Sequence, residues 1–179
     1  MFIDAVRTPV RALALCALAA CLSGCMTNGT KPSGQPSFYR SMATGEFEVD
    51  AAAAASMISG YRQNNGLGAI TLDPQLMRMA DAQARAMAGR DKLDHNVGGP
   101  LTQRIRQSGF DAKVAVENIG AGYHTLAEAF SGWRDSPPHR ANMLSRGVTK
   151  MGISAVYAPN SKYKVFWALI LAGPDDRRG

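Results

Sequence analysis

Beyond residue 25 the chain has no cysteine; Cys16, Cys21 and Cys25 are the full set of three. A domain built from the rest cannot be stapled by disulfides, so its stability must come from burial of apolar surface. A Lys/Arg block is also missing. The 20 Lys and Arg are scattered against 14 Asp and Glu, a mildly basic balance that gives nucleic-acid binding little support. No apolar run is long enough to span a bilayer as a stable helix, which argues against a transmembrane anchor. No repeat and no second domain is visible, and histidine occurs only three times, at His95, His124 and His139.

What is present begins with an export signal. In "MFIDAVRTPVRALALCALAACLSGC" the basic Arg7 and Arg11 precede a short stretch rich in Ala and Leu. It ends in Leu22-Ser23-Gly24-Cys25, a pattern resembling a bacterial lipobox, in which the cysteine is lipidated and becomes the new N-terminus. Leu18-Ala19-Ala20-Cys21 fits the same pattern with a shorter apolar run, so Cys25 is the favoured site and Cys21 the alternative. Removing 24 residues from 179 leaves 155, enough for one domain with a real core, and the 18 basic and 13 acidic residues kept give a net charge of +5. From the lipidated cysteine to about residue 45 the composition of Ser, Thr, Gly and Pro predicts a flexible tether, at most ~65 Å long when fully extended. Residues 46–179 are the predicted domain. Met26 is not the aspartate that retains many lipoproteins in an inner membrane, so a Gram-negative cell would carry this chain on the periplasmic side of its outer membrane.

Asp50 caps a predicted helix whose stripe is Met57, Ile58 and Tyr61. The clearest helix follows Asp73 as N-cap and Pro74 at its first position, with Leu76, Met79, Ala80, Gln83, Ala84 and Met87 at helical spacing and Gly89 as terminator. Pro100 opens a short helix, "KVAVENIGAGY" holds a brief β-like run leading into Glu117, and Thr125 with Glu128 forms a capping box. "KMGISAVYA" and "KYKVFWALILA" predict a β-hairpin. The second of these strands is apolar on both faces and needs cover on both. Helices on two faces of a mainly antiparallel sheet supply it, an α+β architecture.

"WRDSPPHRANML" then raises a question of chemistry. The two prolines end the Trp133 helix near Asp135 and start another, which puts His139 in a first helical turn. The partial positive charge there disfavours a protonated imidazole, and a neutral ring is what a metal ligand or general base requires. His95, Glu117 and His139 each stand beside a break in pattern. Two imidazoles and a carboxylate suit zinc or another divalent metal with an open position, or an acid–base cluster. Trp133 is core whose indole N–H needs a partner, and His124 faces solvent. Asn118 serves backbone groups in its loop, and Arg140 is solvated or covers the cleft rim. Ser136 reads as a turn or capping residue, with a nucleophile as the sharper alternative.

"YRQNNGLGAITLDPQLMRMADAQARAMA", His95, "VENIGAGY" and "WRDSPPHRANML…MGISAVY", in this order, resemble the bacterial branch of the CAP superfamily, whose unit is also called the SCP domain. Cysteine-rich secretory proteins, antigen 5 and pathogenesis-related 1 proteins belong to it. The resemblance runs from about residue 55 to 172 and implies a three-layer α-β-α sandwich with a cleft lined by two His and two acidic residues. His95, Glu117 and His139 take three of those positions. The second glutamate corresponds to Ser136, and the glycine usual before Glu-Asn-Ile is Val116. Mechanisms needing both carboxylates are thereby put in question.

The resemblance fixes fold better than activity, and the motifs establish no reaction. It implies three readings. The first is a lipid-anchored, non-catalytic domain binding a lipid-like or cell-wall ligand, or a divalent metal, in the His95/Glu117/His139 cleft. The second is a hydrolase, metal-assisted or not, acting on peptide or cell-wall substrates. The third is a structural or host-interaction domain with a vestigial cleft.

Overall fold

A computed structural model describes residues 34–175. The predicted signal, both candidate lipidation sites and the first part of the tether lie outside the described residues. Among the described residues no helix is long and apolar enough to cross a membrane.

The described residues form five α-helices and four strands. They are α1 (Ala51–Gln63), β1 (Thr71–Leu72), α2 (Pro74–Arg90), α3 (Leu101–Ser108), β2 (Ala112–Ala121), α4 (Leu126–Asp135), α5 (Pro137–Met143), β3 (Lys150–Tyr157) and β4 (Val165–Pro174). The caps are those the sequence predicts. Asp50 accepts from Ala53 N–H, Asp73 from Gln75 and Leu76 N–H, and Thr125 with Glu128 closes the capping box of α4. The end of α2 differs from expectation. It runs through Gly89 and stops at Asp91, which adopts a left-handed φ of 45°. Aspartate tolerates that region, so Gly89 is left as an ordinary helical residue.

The sheet order is β1-β3-β4-β2. β4 pairs antiparallel with both β3 and β2, while the two-residue β1 pairs parallel with β3. The sheet is therefore mixed, with antiparallel pairing in two of its three ladders. Alternation along β4 divides the core in two. Val165, Trp167, Leu169 and Leu171 pack with Ile58 of α1, Leu126 and Trp133 of α4 and Met143 of α5. Phe166, Ala168, Ile170 and Ala172 pack with Leu76, Met79 and Met87 of α2 and Ile105 of α3. The two-faced strand thus produces the three layers that its sequence requires. α2 lies so close to β3 that a Cβ on Gly152 would stand 2.1 Å from the Leu76 main chain. Only glycine permits that approach.

Two features lay outside the sequence reading. Arg62 is buried at the end of α1 and donates to the carbonyls of Gly68, Met143, Ser145 and Val148, with burial lowering its pKa. It ties α1 to the segment after α5. Residues 34–45, expected as tether, are in part packed structure. Two 3-10 turns, Ser37–Tyr39 and Met42–Thr44, bring Phe38 and Met42 onto the core, and Met42 N–H donates to His124 O at 2.7 Å. The Ser, Gly and Pro around them dominate the composition and hide two apolar anchors.

Candidate functional site

The open edge of β2 carries the site. Side chains alternate along a strand, so Glu117 and Asn118 leave it on opposite faces. Glu117 meets α3 and the turn after α2. Asn118 meets α5, donating to His139 O at 3.0 Å and accepting from Asn142 Nδ2 at 2.9 Å. Asn142 Nδ2 also reaches Glu117 O at 3.0 Å. This amide pair fastens α5 along the strand edge. The strand itself is longer than the brief run expected. Glu117 lies within it, opposite Ile170, rather than at an element end, and Asn118 is a strand residue rather than a loop one.

Glu117 is clamped from two sides. His95 Nδ1 lies 2.8 Å from Oε1, and Arg104 Nη2 lies 2.7 Å from Oε2. The Glu117 side chain is 2 % exposed and that of Arg104 8 %, whereas His95 is 51 % exposed. A buried carboxylate requires a partner, and Arg104 is that partner. A carboxylate accepts only, so neutral His95 carries its proton on Nδ1 and turns a bare Nε2 outward. Arg104 also donates from Nε to Gly99 O at 2.9 Å and from Nη2 to His95 O at 3.3 Å. Gln83 Nε2 adds bonds to Asp94 O and His95 O. The turn carrying His95 is thus held from beneath.

His139 does not touch Glu117. Its Nδ1 lies 2.9 Å from Ser136 Oγ. Ser136 closes α4 and opens α5, yet its hydroxyl caps no backbone N–H. Pro137 and Pro138 have none to offer, and the hydroxyl meets the His139 ring instead of the His139 backbone N–H. The His139 pKa is lowered, first by burial and then by the charge of nearby His95. The direction matches the expectation from the sequence; the causes differ from the helix-end field invoked there. Arg140 is exposed, and Trp133 Nε1 finds its partner in Ile119 O at 3.1 Å.

Both oxygens of Glu117 are already engaged, one by a guanidinium that occupies the place of a cation. Among the described residues no group of three or more His, Cys, Asp or Glu is arranged to hold a metal ion. Two open imidazoles fall short of the three or four protein ligands of a zinc site. The three-ligand set His95, Glu117 and His139 does not fit.

Arg104, Asn142 and Gln83 were missed in the sequence. One signal was available: a glutamate inside an apolar strand demands a buried cation. Nothing local says which of the 20 basic residues answers.

Comparison with known proteins gives the same fold. A curated relative, the uncharacterized protein YkwD of Bacillus subtilis, is 30% identical over 128 residues, covering 64% of this chain and 49% of its own length. The chain thus spans about half of that relative. Among solved structures, an extracellular SCP-domain protein of Bacillus anthracis aligns with a TM-score of 0.60 at 22% identity, over 68% of this chain and 39% of the other. An outer surface protein of Borrelia burgdorferi aligns at 0.61 and 18% identity, over 72% and 98%. At these identities the likeness is one of fold. The model of the cysteine-rich secretory protein family, CAP, matches residues 55–171, and this bacterial chain belongs to that family.

Proposed function

We propose that this chain is an exported, lipid-anchored CAP domain that binds a small envelope ligand in the His95/Glu117/His139 cleft and catalyses no reaction. The observation that carries this reading is the double engagement of Glu117 by His95 and Arg104. Both oxygens of this carboxylate already hold a partner, and taking a proton from water would break that pairing and strand the buried Arg104 charge. In its neutral form His95 offers a bare Nε2, an acceptor on a half-exposed ring. It suits a ligand whose head group donates from a hydroxyl or amine, and a lipid-like alcohol has that chemistry. The chain's attachment through Cys25, or Cys21, would keep the cleft close to the membrane that supplies such a molecule.

The test is a titration of the protein with a monoacylglycerol, following the ring resonances of both histidines. Saturable shifts that disappear in His95→Ala and weaken in His139→Ala support binding. Unmoved rings across a panel of envelope lipids and cell-wall fragments contradict it and leave a structural or host-interaction domain with a vestigial cleft.

One observation favours a second reading, a serine hydrolase. Ser136 Oγ stands at hydrogen-bond distance from a histidine whose pKa is lowered toward the neutral form. Against it, no hydrogen bond orients Nε2 of His139 among the described residues. Ester or peptide turnover that Ser136→Ala abolishes would establish this reading over the first.

A further inference from the structure

The packed turns at the start of the domain shorten the tether. Residues 34–45 lie in or beside the two 3-10 turns that seat Phe38 and Met42 on the core. The free span from a lipidated Cys25 therefore ends at Gly34, nine positions on, rather than near residue 45. Nine residues reach at most ~30 Å when fully extended. A compact domain of about 140 residues is roughly 37 Å across. The leash is shorter than the domain is wide, so the pole at which the chain enters cannot turn away from the membrane that holds the lipid.

That pole carries an exposed aromatic surface. Tyr39 is 50 % exposed and Phe47 44 %. Arg40 joins them. It follows Tyr39 in the chain, and its guanidinium stands 5.7 Å from the centre of the Phe47 ring, a cation–aromatic attraction. Arg40 is exposed and forms no ion pair among the described residues. Tyr39 does not hang on a loose end. Its ring lies 4.6 Å from that of Phe38, which packs on the core, and Met42 N–H is bonded to His124 O. Folding has already ordered this segment, so docking it costs little further entropy. A single exposed apolar side chain is ordinary on a protein surface. Two aromatics joined by an unpaired guanidinium, at the entry of so short a leash, form a set.

We infer that Tyr39, Arg40 and Phe47 form a membrane-docking surface that rests on the phospholipid layer holding the chain's own lipid. The tyrosine and phenylalanine rings enter the interface, where aromatic bodies leave water and the phenol stays wet. The Arg40 guanidinium pairs with lipid phosphate, which suits its planar fork. Glu46 and Glu48 flank Phe47 in the chain, so the surface matches a zwitterionic layer better than a strongly anionic one. Docking of this kind holds the whole domain in one orientation above the membrane. The inference rests on the anchored reading with Cys25 lipidated, and not on what the His95 cleft binds.

The test places the full-length lipidated chain, isotope-labelled, on phosphatidylcholine nanodiscs doped with a gadolinium-chelating lipid, and reads paramagnetic broadening amide by amide. Broadening peaks at Tyr39, Arg40 and Phe47 and is low on α3, across the sheet from Phe38, for instance at the exposed Gln107. In the double variant Tyr39→Ser, Phe47→Ser the peak falls to the Gln107 level while the protein stays on the disc. Losing about half of two aromatic side chains from the interface lowers the docked-to-free ratio at least ~tenfold. Both positions are open to solvent, and unshifted His95 and His139 ring resonances report that the fold is kept. Arg40→Glu, a single change at an exposed position, lowers the peak as well. Broadening spread evenly over the domain, a maximum on α3, or a profile unchanged in the double variant overturns the inference. Retention on the disc without the peak contradicts docking alone, whereas lipidated protein that leaves the disc contradicts the anchor and docking together.

Discussion

At the scale of single residues, the clamp on Glu117 carries the most free energy. Removing one partner of a buried ion pair leaves an uncompensated charge, so Arg104→Met should destabilise the fold by roughly 3–5 kcal/mol in denaturant unfolding. Arg104→Met combined with Glu117→Leu should cost far less than the two changes summed, because no charge is then stranded. Additive losses would mean that the pair contributes nothing as a pair. His139 has a pH signature. Its folded pKa is lowered below 6.5, so the unfolded state takes up the proton first and stability falls as pH drops below that value. The contribution is intact above the unfolded pKa and lost on passing down through the folded one. His139→Gln should flatten this part of the stability–pH curve; a variant with unchanged acid dependence would show that the ring titrates alike in both states. How readable the site was depends on the residue. The double proline announces His139 and its first-turn setting from the sequence itself. Arg104 is indistinguishable by sequence from the solvated Arg106 two positions on, since only the fold decides which guanidinium meets a carboxylate 13 residues away.

Among elements, β4 was the most legible because its requirement is local. A strand apolar on both faces cannot exist without two covering layers, and the structure divides its alternate residues between two cores. β1 was invisible for the opposite reason. Thr71 and Leu72 are exposed and patternless, and they are a strand only because Thr71 N–H reaches Thr149 O and Asp73 N–H reaches Met151 O. The extension of β2 through Glu117 escaped notice because a charged residue interrupts the apolar alternation, and its pairing partners lie about 50 residues on in β4. The closeness of α2 and β3 gives an element-scale prediction. Gly152→Ala drives a methyl into the main chain of Leu76, which cannot swing aside as a side chain would. The cost should be at least ~2 kcal/mol, read as a lower thermal midpoint. A wild-type midpoint would show that the helix can lift from the strand.

For the whole molecule, the packed unit starts earlier than the composition suggests. Phe38 and Met42 seat the incoming chain on the core, so Met42→Ala should cost about 2–3 kcal/mol rather than the near zero of a tether position. Attachment to a membrane is tested separately. Cys25→Ser should release the protein into the soluble fraction, and the same result from Cys21→Ser alone would move the lipidation site. Family membership and three layers do not by themselves separate binding from catalysis; the state of Glu117 does. Long-range 1H–15N correlation spectra of the histidine rings test that state most directly. With the carboxylate held between Arg104 and His95, the neutral His95 ring should carry its proton on Nδ1 and leave Nε2 bare, and Glu117→Gln should weaken that preference. A neutral His95 ring carrying its proton on Nε2 instead would mean that Nδ1 does not donate to Glu117, leaving Oε1 open to water and the non-catalytic reading without its basis.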